Sequence, residues 1–350
     1  MDVTSTLLDS LPTPAALIRQ RSRRCLSRRL RRLQSDPAQD PAQRRRLGFE
    51  AIARHELWSE ESPRLSMGQL PLAFWQLVLG SRLHSAAAFW PGNVTDIDQA
   101  ETLWCRVTAS RCEFEAGQRV LEIGAHPGSL ARWAETEIPG LEITLLALDP
   151  GGRRLLADAV DRFGPTGARV SESTLTDFSA PKSFDRIIAV EALGHSANPE
   201  PLLNRMLTWL RPRGRLLIQV ACHWRDSYYF EPGDENGWML PEASDGALLP
   251  GEEFLAELGS RLPIVSRWES SGEHYARITR GWLNRLERHS SELIELLAAA
   301  GVRHPRRTLR SWRNALLGQE TMFAYRKGQE WFITQLLLAS PGNGGGGGGD

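Results

Sequence analysis

The feature that most constrains the fold of this chain is a short apolar run that ends in a glycine turn. Arg119–Ile123 has the composition of a buried strand, and Gly124 and Gly128 follow it before a helical pattern begins. Glycines at both ends of such a turn let the backbone bend sharply and lie against a bound molecule. The turn lacks the Lys-Ser or Lys-Thr of a P-loop and the complete G-x-G-x-x-G pattern. It is therefore either a ligand-binding turn or a structural glycine turn.

Further strand-like runs follow along the chain, with helical patterns or turn signals between them. They are Ile143–Leu148, Ala168–Val170, Asp185–Val190, Arg215–Val220, Pro263–Trp268 and Trp331–Leu338. Alternation of this kind is typical of an α/β fold with a parallel sheet. We predict a seven-stranded, mostly parallel sheet flanked by helices.

Two helical stripes lie between the last two strand-like runs. The first begins at Tyr275 and extends through Leu296, and the second runs from Leu309 to Phe323. Ligands of open α/β sheets bind at the carboxyl ends of the strands. We therefore predict a two-helix lid over that edge, from Glu273 to Lys327.

The two ends of the chain differ in composition from the rest. Between Arg19 and Arg46 there are eleven arginines against Asp36 and Asp40, with apolar residues at helical spacing. This pattern predicts a basic amphipathic helix within residues 1–60, either docked on the protein or in contact with an anionic membrane surface or RNA. Residues 61–339 would form the main domain, and the glycine-rich tail 340–350 would be disordered.

Charge and cysteine content exclude several classes of protein. The 42 basic residues equal the 42 acidic ones, which argues against a general nucleic-acid binder. No apolar run reaches the roughly 18 residues that a membrane-spanning helix needs. The 4 cysteines show no spacing typical of a zinc site or a disulfide framework. We therefore expect no metal. The first residues lack the continuous apolar core of a secretory signal, so we expect a cytoplasmic protein.

The motifs together carry a family resemblance. The turn after Glu122 resembles the E-x-G-x-G-x-G turn of class I S-adenosylmethionine (SAM) methyltransferases, with His126 at the middle glycine. Gly272–Arg277 resembles the G-x-H-Y-A-R-T motif of the cyclopropane-fatty-acid-synthase-like methyltransferases, and Tyr325–Trp331 resembles their F-G-Y-x-x-G-E-E-W motif. The chain is most similar to the branch that contains coclaurine N-methyltransferase. The resemblance implies a class I, Rossmann-like methyltransferase fold with SAM as its cofactor.

The resemblance also implies which residues meet the cofactor. They are Ser85, Gly124, Ala125, Gly128, Leu148, Asp149, Thr174, Leu175 and Ile187. Asp149 follows the second strand, where a carboxylate commonly accepts ribose hydroxyls. The alternative is that Asp149 only forms a turn with the Pro-Gly-Gly that follows it.

Glu191, His195 and Tyr275 are the predicted catalytic residues. Glu191 and His195 are four residues apart, so they share a face if the chain becomes helical after the fourth strand. A carboxylate or imidazole there can serve as base for an attacking amine, and Tyr275 can donate a hydrogen bond from the lid. Relative to the family pattern, Gly194 replaces a second carboxylate. Gln219 replaces a histidine that helps to hold bicarbonate in cyclopropane synthases.

Three kinds of function are compatible with these observations. The first is SAM-dependent methyl transfer to a small-molecule amine or lipid-like acceptor. The second is cyclopropane-type alkylation of unsaturated acyl phospholipids. The third is a catalytically impaired family member that acts as a binding protein, because several positions of the family pattern are altered. A SAM-binding measurement distinguishes the third from the other two.

Overall fold

The computed structural model describes residues 67–124, 127–164, 167–195, 199–225, 227–229 and 248–340. Nine strands occur in these ranges: β1 (Arg119–Ile123), β2 (Glu142–Leu146), β3 (Ala168–Val170), β4 (Phe184–Val190), β5 (Leu210–His223), β6 (Tyr228–Tyr229), β7 (Leu248–Leu249), β8 (Ile264–Ser271) and β9 (Trp331–Ala339). Seven of them form one sheet in the order β3-β2-β1-β4-β5-β9-β8, and β6 pairs with β7 alone. In the large sheet, β9 runs antiparallel to both of its neighbours and the pairs from β3 to β5 are parallel. The predicted seven-stranded, mostly parallel sheet is confirmed.

Nine α-helices accompany the sheet in the described ranges: α1 (Leu72–Val78), α2 (Ile97–Arg111), α3 (Ser129–Glu137), α4 (Pro150–Phe163), α5 (Pro199–Trp209), α6 (Glu252–Arg261), α7 (Gly272–Arg288), α8 (Ser290–Ala299) and α9 (Pro305–Ala324). Local signals fix several helix starts. The Asp96 carboxylate caps α2 by accepting the Gln99 amide at 2.9 Å. Pro150 stands at the first turn of α4, where its missing N–H costs nothing.

The hydrophobic core lies on both faces of the sheet. One cluster of buried residues includes Trp104 of α2, and a second includes Trp209 at the end of α5. Adjacent residues of β4 belong to different clusters, Ile187 to the second and Ile188 to the first. Successive side chains of a strand point to opposite faces, so this central strand is covered on both sides. The architecture is helix, sheet, helix.

A helical cap segment, residues 272–330, connects β8 to β9. Ser271, the last residue of β8, pairs with Phe332, and Trp331 at the start of β9 pairs with His223 at the end of β5. The cap segment therefore leaves and re-enters the sheet at the carboxyl ends of the parallel strands. This is the edge over which the sequence predicted a lid.

The cap segment contains three α-helices where the sequence predicted two. The stripe that begins at Tyr275 was taken to continue through Leu296, and this was wrong. The first helix ends at Arg288, because His289 has φ −97° and ψ 18°, and the chain restarts as α8 at Ser290. Apolar spacing alone does not reveal this break, because buried leucines lie on both sides of it, Leu286 before and Leu293 after.

Some predictions concern residues outside the described ranges. The basic N-terminal helix within residues 1–60 and the tail beyond Ser340 belong to this group. The division into domains stays a prediction. Of the helices that the structure does describe, none has the length and apolar character needed to cross a membrane.

Candidate active site

The glycine turn lies between β1 and α3, as predicted. Gly124 has φ +90°, and a Cβ atom at this position would lie under 3.0 Å from the Val190 carbonyl oxygen. Only glycine satisfies both conditions. Gly128 has φ +65° and precedes the first residue of α3, where it offers no side chain to cap the helix. The residue before α3 therefore supplies no side-chain cap to the first amides of this helix. The predicted residue Ala125 lies in the undescribed gap.

Glu122, which was not among the predicted site residues, supports this turn through a contact with α3. It is buried on β1, and its Oε2 accepts the Ala131 amide of α3 at 3.3 Å. Burial raises the pKa of Glu122 to about 8. The glutamate of the E-x-G turn pattern itself was the signal that could have identified it.

Asp149 caps a helix at the same edge of the sheet. Its Oδ1 accepts the Gly152 amide at 2.8 Å, and the residue is exposed. Leu148 beside it is half-buried. The Pro-Gly-Gly sequence after Asp149 is thus the first turn of α4, and Asp149 is its N-cap. Contact with ribose hydroxyls stays a prediction, and the cap geometry leaves the carboxylate at the edge where such contact is expected.

The remaining predicted cofactor residues differ in position. Thr174 is half-buried in the loop after β3, and the Leu175 amide donates to the Ala147 carbonyl at 3.0 Å, so this loop runs beside the end of β2. Ser85 is half-buried in the segment between α1 and α2. Ile187 lies in the middle of β4, fully buried between β1 and β5. The structure does not bring Ile187 to the edge with the others.

Glu191 directly follows β4 and has an uncommon backbone conformation. Its φ is +57°, and its amide donates to the Gln219 carbonyl at 2.9 Å. Its carboxylate accepts the Ala221 amide, while Oε1 is shielded from solvent and has no hydrogen-bond partner among the described residues. Burial raises the pKa of Glu191 to about 7. A non-glycine residue with positive φ is strained, and such strain is concentrated at functional sites.

The predicted common face of Glu191 and His195 does not form. The 3-10 helix after β4 begins at Ala192, so Glu191 precedes it in the left-handed region. His195 is the last residue of this 3-10 helix, and its side chain lies outside the described part of the chain. The i, i+4 argument assumed a continuous helix from Glu191, and that assumption was wrong.

Tyr275 reaches the vicinity of Glu191 from the cap segment. Its ring packs on Phe323 with centroids 4.5 Å apart and meets Trp282 edge-on at 6.4 Å. The Gln319 side chain hydrogen-bonds to its hydroxyl. Burial and the nearby Glu191 carboxylate raise the pKa of Tyr275. Tyr275 therefore lies within range of an electrostatic interaction with Glu191. Nothing in the sequence pattern indicated Gln319.

Comparison with known proteins assigns this arrangement to a family. A sequence model described as mycolic acid cyclopropane synthetase matches residues 69–331. The chain belongs to this family. It is 24% identical to (S)-coclaurine N-methyltransferase from Thalictrum flavum subsp. glaucum, over 78% of this chain and 77% of that protein.

Two solved structures resemble the fold of this family member. The crystal structure of coclaurine N-methyltransferase bound to N-methylheliamine and SAH superposes with a TM-score of 0.81, at 22% identity, covering 93% of this chain and 95% of that one. The cyclopropane synthase MmaA2 from Mycobacterium tuberculosis superposes with a TM-score of 0.62, at 18% identity, covering 80% and 100%. The predicted class I methyltransferase fold and the family resemblance are confirmed. As a member of the mycolic acid cyclopropane synthetase family, the chain is a SAM-dependent methyltransferase.

The residues of this family member fit SAM. The glycine turn at Gly124, the N-terminus of α3 and the exposed Asp149 all lie at one edge of the sheet. Helix N-termini attract carboxylates such as that of the methionyl group, and an acidic residue after β2 suits ribose hydroxyls. Within the described ranges, no group of three or more His, Cys, Asp or Glu could hold a metal ion.

Gln219 stands where the family resemblance implies a histidine. It is fully buried, and its Oε1 accepts from Trp104 Nε1 at 2.7 Å and from Gln335 Nε2 at 2.9 Å. Its Nε2 faces the Ala87 carbonyl oxygen at 3.4 Å. Both the oxygen and the nitrogen of the Gln219 side chain thus have partners within the protein.

Proposed function

We propose that the chain methylates the nitrogen of a small-molecule amine, with Glu191 as the base and charge-stabilising group. When bound, SAM supplies the methyl group from its sulfonium in an in-line displacement. The protein then has two tasks, which are to hold the amine neutral and aligned and to receive the proton or positive charge that appears on the nitrogen.

The Glu191 carboxylate carries this proposal. One of its oxygens is buried without a partner among the described residues, although a buried polar atom normally has one. An ammonium group supplies the missing donor. The pKa of about 7 places the carboxyl group where it accepts a proton from the acceptor and returns it to solvent near neutral pH.

Tyr275 and Phe323 support the same interpretation from the cap segment. The Tyr275 ring packs on that of Phe323, its hydroxyl interacts electrostatically with Glu191, and the Gln319 contact fixes this hydroxyl. Aromatic faces stabilise cationic amines, and a hydroxyl held in place can orient the nitrogen. His195 is a further candidate base because it ends the 3-10 helix that follows Glu191.

Cyclopropane-type alkylation of lipids is the less favoured alternative. The family resemblance implies a bicarbonate-holding histidine at position 219, and this chain has a glutamine there whose oxygen already accepts two hydrogen bonds. An acceptor nitrogen needs no such group, because its own lone pair forms the new bond to carbon. This difference favours amines over alkenes as acceptors.

The decisive experiment compares the natural chain with Glu191→Gln and, as a control, Glu137→Gln on the exposed end of α3. SAM and SAH binding is measured by titration calorimetry, and methyl transfer is measured on secondary and tertiary amines and on unsaturated phospholipids. We expect methylated amines, with turnover about 10²-fold lower in Glu191→Gln and SAM affinity unchanged within a few-fold. The control should match the natural chain.

Other outcomes contradict the proposal in distinct ways. Modified phospholipid in place of methylated amine would establish the alkylation alternative. Absence of binding heat at millimolar SAM would favour a binding protein without catalysis. Amine methylation at full rate in Glu191→Gln would place the reaction centre elsewhere, with Tyr275 as the next residue to test.

The proposal has two further parts, the cellular location of the protein and its contact with membranes. We propose a cytoplasmic location and peripheral contact between the arginine-rich segment of residues 19–46 and anionic membranes. The eleven arginines in this segment supply the charge that such contact requires. Flotation with vesicles containing phosphatidylserine, against vesicles of phosphatidylcholine alone, tests the contact. Equal binding to both kinds of vesicle would contradict it.

A further inference from the structure

The segment between α1 and α2 is attached to three parts of the candidate active site. We call residues 84–94 the bridge segment. It follows Leu83, a buried residue with φ +57°, so the chain enters it through a strained turn. Each attachment uses a specific hydrogen bond, and each leads to a different functional element.

The first attachment joins His84 to helix α3. His84 is fully buried, its ring lies 4.1 Å from the Trp104 ring, and burial lowers its pKa to about 4, so the ring is neutral. Nε2 lies 3.2 Å from the Ala87 carbonyl, which can only accept, so Nε2 carries the hydrogen. Nδ1 is then an acceptor, and it receives the Ser129 hydroxyl at 3.2 Å. Ser129 is the first residue of α3, directly after the glycine turn.

The second attachment joins the bridge segment to the backbone of Glu191. The Ala87 carbonyl faces the Gln219 side-chain amide as well as His84. Trp104 and Gln335 fix the Gln219 side chain from the other side. The main-chain carbonyl of Gln219 in turn accepts the Glu191 amide. One buried residue therefore contacts both the bridge segment and the reaction-centre glutamate.

The third attachment joins the bridge segment to the cap. The Trp90 amide donates to His274 Nδ1 at 2.8 Å. Arg277 donates to the Trp90 carbonyl at 3.1 Å and to the Val94 carbonyl at 3.0 Å. His274 and Arg277 lie on either side of Tyr275 in α7, so they fix the turn of helix that carries it.

We propose that His84 and His274 are positioning residues, which act through the bridge segment to hold the cofactor-binding end of α3, Glu191 and Tyr275 in one fixed arrangement. This inference rests on the proposed function. A methyl group transferred in line tolerates little misalignment, and the groups to be aligned come from three separate elements. Within the described ranges, the bridge segment contacts α3 and α7 directly and is linked to Glu191 through Gln219.

Two histidine substitutions separate the attachments at His84. Asparagine places its oxygen near the position of Nδ1, so His84→Asn keeps an acceptor for Ser129 and loses the donor to Ala87. Glutamine places its amide near Nε2, so His84→Gln keeps the Ala87 contact and loses the acceptor. We expect His84→Gln to weaken SAM binding about 10-fold and to speed amide exchange in residues 130–133 of the ligand-free protein. We expect His84→Asn to lower kcat about 10-fold with SAM affinity near that of the natural chain.

A second pair of substitutions tests His274, which is half-buried. His274→Gln removes the acceptor for the Trp90 amide and should lower kcat about 10-fold without changing the SAM dissociation constant. His274→Asn restores an acceptor near Nδ1 and should recover most of that loss. His304→Asn, at an exposed histidine before α9, is the matched control and should change neither quantity.

Hydrogen exchange, measured without ligand, and calorimetry with SAM distinguish this inference from the proposed function. If the natural chain binds no SAM, the proposed function fails, while exchange still tests whether His84 orders α3. The inference itself is overturned if the His84 and His274 variants lose only thermal stability, with exchange in α3, SAM affinity and kcat all unchanged. It is also overturned if Asn and Gln have identical effects at either position.

Discussion

Substituting Gly124 by alanine tests whether the glycine turn is shaped by the close approach of β4. The backbone at Gly124 has φ +90°, which costs a residue with a Cβ atom about 1–2 kcal/mol. The added Cβ atom would also lie under 3.0 Å from the Val190 carbonyl oxygen, so the strand or the turn must move. Overpacking of this kind costs about 1–3 kcal/mol. We therefore expect Gly124→Ala to lower the free energy of unfolding by about 2–5 kcal/mol.

Gly117 provides a matched control for the backbone contribution. It has φ +82°, but no atom lies within 4 Å of the position of an added Cβ. Gly117→Ala therefore has the cost of a positive φ at a residue with a Cβ atom but no close contact. We expect its free energy of unfolding to fall by about 1–2 kcal/mol. Both substitutions also reduce the conformational entropy of the unfolded chain, which stabilises each variant by about 0.4–1 kcal/mol. This contribution cancels when the unfolding free energies of the two variants are compared.

Urea denaturation of both variants measures the two free energies, and calorimetry measures SAM affinity. We expect Gly124→Ala to be the less stable variant and to bind SAM at least 10-fold more weakly, because the displaced element is the turn itself. Gly117→Ala should bind SAM normally. Equal stability of the two variants would refute the argument that contact with Val190, beyond backbone conformation, requires glycine here.

Three further predictions follow from buried charges. The kcat/KM for an amine should rise with pH around 7 as Glu191 loses its proton, and this limb should vanish in Glu191→Gln, as a pH-rate profile would show. Burial raises the pKa of Glu122 to about 8, so the folded state holds a proton that the unfolded state releases. Stability should then fall as pH rises from about 4.5 to 8, and urea denaturation should find this slope reduced in Glu122→Gln. Arg280 donates twice to the buried Glu320 carboxylate, so Arg280→Ala should lower the free energy of unfolding by about 1–3 kcal/mol, whereas an unchanged value would mean that the pair contributes nothing.

The sheet was predictable because its strands are marked by local composition. Ala168–Val170 appears with the predicted limits, and the run at Arg119–Ile123 forms β1. The second strand ends at Leu146 and not at Leu148, because Asp149 caps α4 and the chain leaves the sheet before it. The end of this strand thus depends on a capping contact, and the pattern of apolar residues does not predict such a contact.

The candidate site was predictable only in part. Family motifs predicted Glu191 and Tyr275 as reaction-centre residues; the two interact electrostatically in the structure, and their roles stay a prediction. It could not show that Glu191 adopts a left-handed conformation, since that depends on main-chain contacts with β5. Gln319 was missed because its contact with Tyr275 joins two helices that are distant in sequence.

The cap segment leaves the sheet from one strand and returns to the neighbouring strand, so its sequence can diverge without changing the sheet. Because β8 and β9 are neighbours in the sheet, residues 272–330 begin and end side by side. Insertions, deletions or exchanges within such an excursion leave the hydrogen-bonding register of every strand beneath it unchanged. The wall that would meet the acceptor can therefore be remodelled while the turn at Gly124 stays as it is. New acceptors become accessible to this architecture through changes in a single continuous stretch of chain.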